Sequence, residues 1–166
     1  LVVGGLLRII FLDRFPAGLN QDEAFSGYEA ISLMRTGADS FGYRLPVYLT
    51  AWGSGMNALS SYLMIPWLAI FGNNIWCVRM PQALLGSIAI AACFFLVKKI
   101  TSSNRAALIS MFVLATNPWH FMMSRWALES NMAPHFMLLA TLFFLIGIDR
   151  PKFLVLSAIS YGLCLY

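Results

Sequence analysis

Long uncharged apolar runs constrain this chain more than any other feature. Residues 81–97, 106–122 and 132–148 contain no Asp, Glu, Lys or Arg. Each is close to the shortest stretch, roughly 17–25 residues, that crosses the hydrocarbon core of a bilayer as a helix. Only 11 % of the chain is charged and 60 % is hydrophobic, whereas a soluble domain carries about a quarter charged residues. A single soluble core is excluded. The expected class is all-α, a polytopic helical membrane protein whose partner is the lipid bilayer.

The remaining segments follow from these runs. Residues 1–12 read as the end of a first span and 153–166 as the start of a further one, so the chain is expected to be the N-terminal part of a longer protein. The net charge of +4 is dispersed, with Lys98, Lys99 and Arg105 the only local group, and no nucleic-acid stripe is present. Cys77, Cys93 and Cys164 form no CxxC pair and read as small packing residues. Trp52, Trp67, Trp76, Trp119 and Trp126 suit an aromatic belt at the membrane interfaces. His120 reads as interfacial, and His135 as a satisfied histidine within a span.

Basic residues mark cytoplasmic loops. That rule places Lys98, Lys99 and Arg105 inside, together with Arg150 and Lys152, two spans later. The connection 119–131 is then outside. Residues 55–72 leave two topologies open. If they cross, the polar segment 13–54 is cytoplasmic, where Arg14, Arg35 and Arg44 would suit it. If they lie in the outer interface, as Pro66, the serines and the flanking tryptophans favour, residues 13–80 form one external loop.

That loop carries Asp22-Glu23 at the start of a helical pattern: Ala24, Tyr28, Ile31 and Met34-Arg35 recur at spacings of three and four, and Gly37 offers a stop. Asp22 at a helix N-terminus has a purely structural explanation, because unpaired N–H groups favour negative charge there. It does not account for both acids. Glu29 and Asp39 read as solvated. In the second external connection, Arg125 and Glu129 stand four apart, the spacing of an ion pair on a helix. With 13–80 external, Glu129 instead shares a side with Asp22. Two acids beyond the bilayer with arginines nearby suit group transfer from a phosphate leaving group: one carboxylate takes a proton from a hydroxyl, and a cation stabilises the released phosphate. Paired carboxylates also suit a hard divalent cation at Asp22 and Glu129; no other cofactor is expected.

Several motifs occur in an order that resembles a known family. Asp22-Glu23-Ala24, Gly27-Tyr28, Leu33, Thr36-Gly37 and Leu45-Pro46-Val47-Tyr48 are similar to the first external loop of the glycosyltransferase-39 superfamily. That group contains the protein O-mannosyltransferases and the aminoarabinose transferases. Ile70-Phe71-Gly72-Asn73 and Val78-Arg79-Met80-Pro81-Gln82-Ala83-Leu84-Leu85-Gly86 resemble its entry into the second span. Asn117-Pro118 through Ser124-Arg125 and Glu129 resemble the loop with its second acid. The resemblance implies a GT-C fold with interfacial helices in the first external loop, and an active site facing outward, here from a bacterial inner membrane. It implies a polyprenyl-phosphate-linked sugar donor, a lipid or protein hydroxyl acceptor, and direct displacement with inversion. It makes Asp22 the catalytic base, Glu23 its supporting neighbour and Glu129 the second acid.

One departure stands out. Many relatives carry a lysine where this chain has Trp52-Gly53-Ser54-Gly55-Met56-Asn57, which leaves Arg44, Arg79 and Arg125 as candidates for contacting substrate phosphate. Two other classes compete. A transporter or flippase would hold acids near the bilayer midplane, whereas every acid here lies at or beyond the end of a run. A non-catalytic membrane subunit would keep the fold without the chemistry.

Overall fold

The computed structural model describes residues 1–165; Tyr166, the last residue of the expected 153–166 run, lies outside them. The architecture is all-α with one small hairpin: α1 (Val2–Ile9), α2 (Gln21–Thr36), β1 (Tyr48–Ala51), β2 (Ser54–Asn57), α3 (Leu59–Phe71), α4 (Ile75–Thr101), α5 (Asn104–Thr116), α6 (Pro118–Arg125), a single 3-10 turn (Glu129–Asn131), α7 (Met132–Gly147) and α8 (Lys152–Leu163).

α4 is the axis of the molecule, and α1, α3, α5, α6 and α7 all pack on it. The Asn74 side chain opens it by accepting from the Cys77 N–H at 2.9 Å. At its other end stand Lys98 and Lys99, followed by Ser102 in the left-handed region at φ 55°. Its 27 residues extend about 40 Å, enough to cross a hydrocarbon core of about 30 Å. The turn plus α7 forms a second helix of spanning length and hydropathy. By contrast, the 13 residues of α3 reach only about 20 Å, too short to cross.

The apolar run 106–122 is not one straight helix. α5 stops at Thr116, Asn117 is extended, and α6 departs at 60°. Pro118 causes the break, because a residue preceding proline is disfavoured in the helical region while proline itself suits a first helical position. The Asn117 side chain then accepts from the His120 N–H at 2.9 Å and starts the new helix. α6 returns tightly against α4 at Gly86. A Cβ there would stand 2.1 Å from the Ser124 Oγ and 3.2 Å from its Cα.

Large apolar side chains such as Phe95, Ile109, Phe112, Val155 and Ile159 remain exposed on the outer helix faces, as expected where lipid is the solvent. The buried core lies toward the α2–α3 end, where Ala30, Met64, Leu68, Cys77, Val78 and Ala127 pack together. Trp67, Phe71 and Trp76 interlock beside it with centroid separations of 5.4–6.1 Å. Glu29 and Asp39, expected to be solvated, are buried. Glu29 accepts from the backbone N–H and hydroxyl of Ser40, and Asp39 accepts from the N–H groups of Phe41 and Tyr43. Both acids are spent folding the 38–44 loop, whose N–H groups have no regular secondary structure to pair with.

Candidate active site

Three segments from distant parts of the chain enclose a cavity of about 250 Å³. Asp22 comes from the first turn of α2. Ala51, Trp52, Ser54, Gly55 and Met56 come from the hairpin, and Leu128, Glu129 and Ser130 from the connection into α7. The hairpin turns on Trp52 and Gly53, both with positive φ (52° and 77°). That is the backbone of a type I′ turn, which matches strand twist. The turn places Trp52 at the cavity wall.

Asp22 and Glu129 are both half-buried and close enough for their charges to interact. Their surroundings differ. Glu129 accepts from the backbone N–H of Asn57, so one of its oxygens is fixed by the hairpin. The Asp22 carboxylate takes no hydrogen bond among the described residues. Its position is set through the backbone instead: the Asp22 N–H donates to the Asn20 side chain at 3.2 Å, within a full capping box. A free, half-buried carboxylate facing a fixed one can accept a proton and can bind a cation. Among the described residues no cluster of three or more His, Cys, Asp or Glu side chains forms a metal centre. A hard cation at this pair would therefore draw further oxygens from solvent or substrate.

Glu23, adjacent to Asp22, points the other way and is fully buried. Its Oε1 accepts from Arg79 Nε at 2.8 Å and from the Ala127 N–H at 2.9 Å; its Oε2 accepts from an Arg79 terminal nitrogen at 2.9 Å and from the Asn20 N–H at 3.0 Å. Both oxygens are saturated. This one side chain links the start of α2, the axis helix and the segment leading to Glu129.

None of the three arginines read as phosphate contacts lines the cavity. Arg79 is buried, and beyond Glu23 it donates to the carbonyls of Leu12, Pro16 and Gly18. Arg125 is buried too. It donates to the carbonyls of Leu7, Ile10, Phe11 and Phe15 at 2.7–3.1 Å. The Leu7 and Ile10 carbonyls lie at the C-terminal end of α1, where a helix leaves carbonyls unpaired and partial negative charge favours a cation; Phe11 and Phe15 lie in the turn that follows. The Arg125–Glu129 pair does not form, because α6 ends at Arg125 and Trp126 is extended, so the two residues never share a helix. Arg44 is exposed on a different groove with Tyr43, Pro46 and Tyr48.

A second polar cluster escaped the sequence reading. Arg8, fully buried, donates to Ser124 Oγ (3.2 Å), the Gly4 carbonyl (2.8 Å) and His120 Nδ1 (2.8 Å). His120 meets His135 edge-on at 5.2 Å, and His135 Nδ1 lies 3.4 Å from Gln82 Nε2. The available signal was Arg8 itself, a lone base within an apolar run, which in a membrane protein needs buried partners.

The comparisons with known proteins bear on this arrangement. The family model described as dolichyl-phosphate-mannose-protein mannosyltransferase matches residues 58–166, a stretch that includes Arg79, Arg125 and Glu129 but not Asp22. No curated protein and no solved structure matches the chain. The matched stretch is well over half the sequence and carries both helices of spanning length. The chain therefore belongs to the dolichyl-phosphate-mannose-protein mannosyltransferase family, and its general activity is that of a membrane glycosyltransferase.

Proposed function

We propose that the protein transfers a sugar from a polyprenyl-phosphate carrier to a hydroxyl of a lipid or protein acceptor, with inversion, at the outer face of the membrane. One observation carries the reading: Asp22 and Glu129, more than a hundred positions apart, line a single cavity. Asp22 is the proposed base. The acceptor O–H proton passes to its carboxylate as the acceptor oxygen bonds to the anomeric carbon. The anomeric C–O bond to phosphate breaks, and the electron pair leaves with the polyprenyl phosphate. Glu129, fixed by Asn57, holds acceptor hydroxyls or a bound cation opposite. Glu23 acts through position alone, because its oxygens have no lone pair left for substrate.

Two observations support the outer face: the far ends of α4 and α7 carry the basic residues expected inside, and the 13 residues of α3 are too few to cross and reverse that order. Asp22→Asn in the full-length protein tests the assignment. A general base contributes about 10²–10⁴-fold, so transfer should fall by that order while membrane insertion and unfolding stay as in the parent. Undiminished transfer would remove Asp22 from the mechanism.

A further inference from the structure

A second groove lies at the other end of the α4–α7 pair, walled by Phe95, Leu142 and Ile146 and rimmed by Lys98, Lys99 and Ser102, with a volume of about 600 Å³. From Arg79 beside the candidate site to Lys98 the axis helix climbs about 28 Å, so the groove faces the opposite leaflet. Its wall is apolar and lipid-facing, since Phe95 is 55 % exposed on a spanning helix. Its rim is cationic. The Lys98 ammonium stands 5.9 Å from the Phe94 ring centre and has no acidic partner among the described residues. Lys99 is held across the groove by Asp149, which ties the end of α4 to the end of α7 and keeps the two walls together. The chain at this end, residues 98–105 and 149–152, carries Lys98, Lys99, Arg105, Arg150 and Lys152 against a single acid, Asp149.

We propose that this groove is a binding site for an anionic phospholipid, with its phosphate on Lys98 and Ser102 and an acyl chain along Phe95, Leu142 and Ile146. Basic pockets between spanning helices at the headgroup level take such lipids. Free phosphate would leave the apolar wall unused, and a zwitterionic lipid would leave the excess charge uncompensated. The lipid braces the ends of α4 and α7 that face away from the candidate site.

The test is native mass spectrometry of the full-length protein released from nanodiscs holding equal amounts of phosphatidylglycerol and phosphatidylcholine. Retained lipid should be enriched in phosphatidylglycerol. Lys98→Gln should lower that enrichment about fivefold, the worth of one lysine at a membrane surface, while Arg105→Gln, outside the groove, lowers it less. Ile146→Trp fills the groove without changing charge and should lower total retained lipid. Equal retention of both lipids by the parent protein would overturn the site. So would enrichment that survives Lys98→Gln and Ile146→Trp, or displacement of phosphatidylglycerol by millimolar inorganic phosphate. Unchanged sugar transfer by both variants separates this site from the proposed catalytic one.

Discussion

Asp22 and Glu23 are neighbours with opposite environments. Asp22 presents to the cavity a carboxylate without a hydrogen-bond partner among the described residues; Glu23 is enclosed by four donors, two of them from Arg79. Removing one partner of a buried ion pair strands the other, at a cost of about 3–5 kcal/mol. Glu23→Gln should therefore destabilise the protein by that order, measured by reversible unfolding in detergent, with Glu23→Leu/Arg79→Met recovering part of the loss. A Glu23→Gln protein of parental stability and reduced transfer would give Glu23 a chemical part instead. From sequence, the adjacent acids looked like a functional unit, because nothing local separates them. What separates them is Arg79, fifty-six positions away, and such a pairing is set by tertiary packing. The Asn20–Glu23 capping box, by contrast, has a local signature three residues apart.

Two short elements shape the cavity and the approach to it. The hairpin had no legible signal: Tyr48 to Asn57 shows no clean alternation, and its last three residues read as the start of the apolar run 55–72, where the structure places β2. Its Trp52-Gly53 turn nevertheless builds one cavity wall. Gly53→Val would place a β-branched residue at φ 77°, where side chains are strongly disfavoured. The expected result is weaker acceptor binding, read as a raised KM, with little change in helix content by circular dichroism. The other element is the α5–α6 break, which is legible at Asn117-Pro118, although the apolar run conceals it. Asn117→Ala removes the side chain that starts α6 and should cost about 1 kcal/mol of stability. It also loosens the segment that delivers Arg125 to the end of α1. A stability unchanged to within a few tenths of a kcal/mol would show that Pro118 alone sets the break.

At the scale of the whole molecule, the fold class and the spanning character were plain from the apolar runs. The placement of the arginines was not. Read as phosphate contacts, Arg79 and Arg125 instead neutralise carbonyls at the end of α1 and in the following loop, a use that depends on a helix terminus brought beside them by folding. Their burial makes the α2–α3 end of the bundle a polar knot from which the cavity opens. The two ends should therefore differ in accessibility. In cells, a membrane-impermeant thiol reagent is expected to label Ala24→Cys, exposed near the cavity, and not Asn104→Cys, exposed at the far end. The reverse pattern would turn the protein over in the membrane. Convergence of Asp22 and Glu129 remains the claim on which the proposed chemistry depends, and spin labels measure it directly. With Asp22→Cys and Glu129→Cys labelled in one full-length protein, strong dipolar broadening is expected, absent when Glu129→Cys is exchanged for Asn104→Cys. Spectra without broadening in the 22/129 pair would mean that the two carboxylates do not share a cavity.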